Sequence, residues 1–204
     1  MAIRTPYRST ERSRPWWRGN WWSALWRRFL GHEAGTLAVE LAMSVPVVFA
    51  LTVAGVEVTR YVLLNQKVER TSATMADLVA QSEVLSEAAL LNLVGAARHV
   101  MTPYPVDSDG RIVVSSLTNP TGSEPRVVWQ RGYGGGSGGS HFGVQGGVAQ
   151  LPQDFVVRSD ENVIAVEVFY DYQPMLATSV LNAGQVYSFA LFRPRFASLE
   201  TLLP

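Results

Sequence analysis

Two residues five positions apart carry the chemistry that this sequence offers. Gly35 is followed by Thr36, Leu37, Ala38 and Val39, and then by Glu40, a lone carboxylate. The next sixteen residues, Leu41 to Val56, hold no charge. A charged side chain in a membrane helix costs about 2.5–3.5 kcal/mol at mid-depth and less near the interface. Glu40, at the edge of such a run, therefore calls for protonation or for a paired cation. A carboxylate and an ammonium attract far more strongly in a low-dielectric setting than in water. Leaving either one unpaired there is costly. The chemistry on offer is charge pairing at a membrane boundary.

No other group of residues competes with it. His32, His99 and His141 are scattered and make a poor metal site. Asp154, Asp160, Glu161, Glu167 and Asp171 are numerous enough for paired carboxylates, but their spacing singles out no pair. There is no Gly-x-Ser-x-Gly pattern to mark a nucleophile. The glycine-rich stretch Gly132–Gly147 lacks the Gly-x-x-x-x-Gly-Lys-Ser/Thr pattern of a phosphate loop, and a flexible surface loop is expected there. The chain has no cysteine, so a disulfide scaffold and a cysteine-based metal site are both excluded. The expectation is a protein that is not an enzyme, with no catalytic residue, no metal, no cofactor and no small-molecule substrate.

The element that must position Glu40 is a helix. At 1.5 Å per residue, Leu41–Val56 covers about 24 Å, short of the roughly 30 Å hydrocarbon thickness. Counting back to Thr36 gives about 31 Å. The helix thus spans a bilayer only if Glu40 lies in the inner boundary region. Pro46 lies inside the run, and membrane helices tolerate proline better than helices in water do. A gentle kink is expected there. A secretory signal would show a small-residue cleavage site after its apolar core. Here Glu57, Val58, Thr59 and Arg60 follow, so the expected cut lies before the core, between Gly35 and Thr36.

Charge gives the orientation. Residues 1–34 hold seven arginines against Glu11 and Glu33, a net of +5, and residues 35–204 hold ten basic and fifteen acidic side chains, a net of −5. Basic residues beside a span stay on the cytoplasmic side, so the acidic remainder is expected outside. Trp16, Trp17, Trp21, Trp22 and Trp26 interleave with Arg14, Arg18, Arg27 and Arg28. That suits an interfacial helix on an anionic leaflet. The alternative is a disordered leader that only sets topology. Nucleic-acid stacking is disfavoured beside a membrane span.

Past the span, Val58, Tyr61, Val62, Val68, Met75, Leu78, Val79 and Leu85 recur at helical spacing. Ser86, followed by Glu87, predicts the N-cap of a second helix reaching about Met101, stopped by Pro103. β-rich runs follow at Ile112–Leu117, Val127–Gln130, Val163–Tyr172 and Val186–Phe192, separated by turn signals. Glu167 and Asp171 on one face of the third run suggest a half-exposed strand. The expected class is α+β, a long N-terminal transmembrane helix continuing into an exported stalk and then a small antiparallel sheet. The expected boundaries are 1–35 for a cleaved leader, 36–58 for the transmembrane helix, 59–102 for a helical stalk and 103–204 for a β-rich domain.

The string G-TLAVELAMSVPVV is similar to the processing site of type IV prepilins. Its wording resembles the TadE-like pseudopilins of tight-adherence (Tad/Flp) pilus systems, where Gly and small residues precede A-V-E-F-A and a Pro follows. Leu41 stands here in place of that Phe. The strings PRVVWQ (125–130), GVQGGVAQLP (143–152), VIAVEVFYDYQPML (163–176) and FRPRF (192–196) are similar to the family's exported region, so the resemblance covers about residues 33–204. It implies a pilin-like fold and cleavage between Gly35 and Thr36 by a membrane aspartyl prepilin peptidase. Glu40, then the fifth residue, would pair with the N-terminal amine of a neighbouring subunit. The implied function is a component required for assembly of a Tad/Flp type IVb pilus, in adhesion and surface attachment. The implied partners are the prepilin peptidase, other pilins and pseudopilins of the Tad system and the bacterial inner membrane, with no nucleic acid. The implied location is a single inner-membrane pass, N-terminus cytoplasmic and C-terminal domain periplasmic, with incorporation into an extracellular pilus. The rival expectation is an uncleaved, membrane-anchored binding protein with an exported C-terminal domain.

Overall fold

The computed structural model describes residue 27 and residues 33–122, 124–152, 155–175 and 182–204. The leader expected as an interfacial helix lies, Arg27 apart, outside the described residues, as do His32 and Asp154. The described elements are helix α1 (Glu33–Ala80), helix α2 (Glu87–Met101) and strands β1 (Gly110–Thr118), β2 (Arg126–Tyr133), β3 (Asn162–Tyr172) and β4 (Gly184–Phe192). The chain divides into two compact units, Met1–Leu51 and Thr52–Pro204.

In the first unit, the described large apolar side chains of α1 face outward. Leu37, Val39, Met43, Val45, Phe49 and Leu51 are each more than half exposed. A helix that is apolar all round needs an apolar solvent or a buried setting. This one is long and apolar enough to cross a membrane, with a mean hydropathy of 2.1 over its best window, none of it buried within the chain.

In the second unit, α1 from Thr52 onward and α2 cover one face of a four-stranded antiparallel sheet of order β2-β1-β3-β4. Leu64, Val68, Met75, Ala76 and Val79 of α1 are buried at steps of one, three, four and seven, the signature of one helix face. They pack with Ile112 and Val114 of β1 and with Ile164, Val166 and Val168 of β3. The helix runs opposite to β3. Glu57 meets Tyr172, the last residue of β3, and Arg195 donates its backbone N–H to the Ala80 carbonyl at 2.9 Å near the far end. From Glu57 to Ala80 the helix rises about 35 Å, close to the ~36 Å that an eleven-residue strand covers.

The expected stalk stripe is half right. Val68, Met75, Val79 and Leu85 are buried, whereas Val58, Tyr61, Val62 and Leu78 stay exposed. The buried face drifts from the expected one because Leu64, Thr71, Ser72 and Ala76 share it, and small residues on a packing face leave little apolar signal. Helix α2 begins as expected, with the Ser86 hydroxyl accepting the Ala89 N–H at 3.2 Å. Ser86→Ala should lower the stability of this unit by about 1 kcal/mol, measured by urea unfolding.

The four strands fall within three residues of their expected bounds. The C-terminal segment closes the helical face. Trp129 donates its indole N–H to the Leu199 carbonyl at 2.8 Å, and the Leu203 N–H reaches the Leu85 carbonyl at 3.0 Å.

Two expectations fail on the other face of the sheet. Glu167, expected half-exposed, has no exposed surface, because β3 is a central strand covered on both sides. The stretch Gly132–Gly147, expected as a flexible surface loop, is the cover. Gly132 and Tyr133 belong to β2, and Phe142 is buried against Leu117, Val127, Val163 and Ala165. The glycines permit close backbone approach rather than mobility. Gly134 (φ +102°) would place a Cβ 2.3 Å from the Gly110 carbonyl oxygen, and Gly138 (φ +121°) would place one 2.9 Å from the Phe169 ring.

Candidate functional site

Gly35, Thr36, Glu40 and Pro46 all lie on α1. Thr36 and Glu40 are four apart and so share a helix face. Helical side chains lean toward the N-terminus, which aims the Glu40 carboxylate back along the turn that Thr36 opens. Glu40 is exposed, between exposed Val39 and Leu41. The Gly35–Thr36 bond is itself in helical conformation, and glycine lowers helix propensity there by about 1 kcal/mol relative to Ala. The structure places Glu40 exposed on the apolar surface of this helix, one turn beyond Thr36.

Where α1 enters the second unit, a second carboxylate stands on its buried face. Glu57 is fully buried and is the first charged residue after the uncharged run. Its Oε1 accepts the Tyr172 hydroxyl and, at 3.3 Å, the Met175 backbone N–H. The Arg60 guanidinium lies 3.8 Å away, and the Arg60 carbonyl accepts the Tyr104 hydroxyl at 2.8 Å. Burial first, then the hydrogen bond to Glu57, push the Tyr172 phenol up to about 12. Tyr61 packs edge-on against Tyr172 with ring centroids 5.1 Å apart. Sequence reasoning passed over Glu57. The available signal was its spacing, seven residues before Leu64 and eleven before Val68, which puts it on the stripe that packs.

Glu167 is the hub of the outer sheet face. It accepts the Ser140 hydroxyl, the His141 N–H at 2.8 Å and the Tyr187 hydroxyl at 3.0 Å. The His141 ring stacks at 4.3 Å from Tyr187 and edge-on to Phe169 at 5.4 Å. Burial and the neighbouring carboxylate push the Tyr187 phenol up. These bonds use Glu167 to hold the glycine-rich segment down.

Asp171 does the same at the strand's end, accepting the Ser137 N–H at 2.6 Å and the Ser137 hydroxyl at 2.7 Å. Those two bonds hold its carboxyl below the usual range. A depressed carboxyl adds stability above its unfolded-state pKa and loses it as pH falls through the folded value. The protection factor of the Ser137 amide, its exchange rate corrected for intrinsic pH dependence, should therefore hold above about pH 4 and fall below it, and Asp171→Asn should remove that dependence.

The other carboxylates singled out from sequence are dispersed. Glu161 accepts the Arg193 guanidinium and the Arg158 N–H, and Asp160 occupies a turn at φ 57°. Among the described residues, no group of three or more His, Asp or Glu side chains gathers to hold a metal. His99 is exposed in the last turn of α2.

Residues 35–77 match the family model described as TadE-like protein. The matched stretch contains Gly35, Thr36, Glu40, Pro46 and Glu57, and it ends before the sheet begins. The strings compared at 125–130, 143–152, 163–176 and 192–196 lie outside it. Neither the curated proteins nor the solved structures hold a significant match to the chain.

Proposed function

We propose that this chain is a pseudopilin-type assembly component of a Tad pilus, anchored by α1 in the inner membrane and processed after Gly35. The observation that carries this reading is the sequence of features along one helix. A glycine in the first turn, a carboxylate one turn beyond Thr36, and an exposed apolar surface follow in order, all within the TadE-like segment. The cut supplies an ammonium at Thr36, and Glu40 supplies its counter-charge at the hydrocarbon edge. Either group alone in lipid is costly, so association with a like helix relieves both. The net charge of +5 before residue 35 keeps that end in the cytoplasm and leaves the Thr52–Pro204 unit on the periplasmic side. The partners are a prepilin peptidase and other pilins or pseudopilins of the same system.

The test is N-terminal sequencing of the chain expressed with and without a prepilin peptidase. A mature chain starting at Thr36 only in the presence of the peptidase supports the proposal. Residue 1 retained in both cases overturns it and leaves an uncleaved anchor carrying a binding domain.

A further inference from the structure

Met175 is anomalous for a water-facing loop. Its side chain is 71% exposed, yet its backbone N–H is tied to the fully buried Glu57 carboxylate. The main chain that carries this exposed side chain is therefore tied down. The tie is to the first charged residue after the sixteen-residue uncharged run, which is the level where hydrocarbon must give way to water. With Glu40 in the inner boundary region, Glu57 lies about 25 Å further along the helix, within the outer boundary of a ~30 Å core. Around this level the helix exposes Val56, Val58 and Tyr61, and Arg60 is long enough to reach toward headgroups. Residues 173–183, which connect β3 to β4, carry no charge.

We propose that the segment leaving β3, Gln173 to Met175, docks on the outer bilayer interface, with Met175 seated at the boundary of headgroups and acyl chains. This rests on the reading of residues 36–58 as a membrane span. The occupant is lipid because any single-pass helix is surrounded by bilayer at this depth, and Val56 and Val58 beside Glu57 are exposed apolar side chains. The Tyr172 and Met175 hydrogen bonds satisfy Glu57 so that no bare carboxylate faces the lipid. Tyr61, exposed on the helix, places a phenol at the level where such rings favour the interface. The exported domain would then be held on the membrane by two contacts, the helix and this segment.

The chain has no cysteine, so a single introduced one labels uniquely. The full chain, labelled with a polarity-sensitive fluorophore, is reconstituted in phosphatidylethanolamine and phosphatidylglycerol vesicles. These carry a nitroxide on either the headgroup or the acyl chain. The label at Met175→Cys should lose as much emission to the headgroup nitroxide as the label at Val58→Cys. Val144→Cys, exposed at the opposite end of the sheet, should lose none. If Val48→Cys is quenched by the acyl nitroxide while Met175→Cys stays bright and water-exposed, docking is overturned and the span stands. A blue-shifted label at Met175→Cys that no nitroxide quenches marks a contact with a second copy and also overturns docking. If Val48→Cys itself escapes quenching, there is no span and docking falls with it.

Discussion

Glu40→Ala should still be cut after Gly35 and should then fail to enter a pilus. The substitution removes a charge from a helix whose flanking side chains Val39 and Leu41 are exposed and apolar, so insertion into the bilayer is not harmed. On the proposed reading, what it removes is the counter-charge for the new amine at Thr36. At an effective dielectric of 20 and a separation of 4 Å, that pair is worth about 4 kcal/mol, or roughly a thousandfold in association. The alanine variant keeps the unpaired ammonium, which disfavours close packing of a second helix. The readout is the amount of subunit in a sheared pilus fraction, taken alongside N-terminal sequencing of the membrane fraction. Glu40→Asp keeps the charge on a shorter stem and should be intermediate. Normal piliation by Glu40→Ala would remove the pairing role while leaving the cleavage reading intact.

The second large effect belongs to Glu167. Glu167→Ala withdraws the acceptor from three donors at once, the hydroxyls of Ser140 and Tyr187 and the N–H of His141. A buried donor left unsatisfied costs about 1–3 kcal/mol. The His141 donor is a backbone N–H of an exposed residue, where water can replace the lost acceptor, so the total should be on the order of 3–5 kcal/mol rather than the full sum. For a unit of this size that is roughly 10 °C in melting temperature. Glu167→Gln keeps the shape and one carbonyl acceptor and should lose less than half as much. Trp129 is the single tryptophan after Gly35, so its fluorescence in the chain beginning at Thr36 reports melting of this unit directly. If both variants melt with the native chain, the clamp contributes no stability and the glycine-rich cover is held by its other contacts, Phe142 and the Ser137–Asp171 bonds among them.

The start of α1 was legible because its signals are local. A glycine, a carboxylate and an uncharged run need only one dimension to be recognised, and hydropathy without a packing partner marks the run as able to cross a membrane. The β strands were legible for a related reason, since β-branched runs between turn residues carry their own period. Ser86 was legible because capping is an interaction across three residues.

Glu57, Glu167 and the glycine-rich segment were not, and each for the same physical reason. Whether a carboxylate is exposed or buried depends on what covers it, and the cover lies far away in sequence. Tyr172 is 115 residues from Glu57, and Ser140 is 27 from Glu167. Alternation along β3 placed Glu167 on a face, but only the order β2-β1-β3-β4 made that strand central. The glycines of 132–147 carry no periodicity that separates a mobile loop from a packed one. Gly138 is required because the Phe169 ring occupies the space a Cβ would need. The sequence by itself determined which stretch is apolar enough to cross a membrane and which charges flank it, because transfer between solvents is a property of each residue. Only the tertiary structure decided which carboxylates serve as internal acceptors, because burial and hydrogen bonding are properties of pairs brought together by the fold.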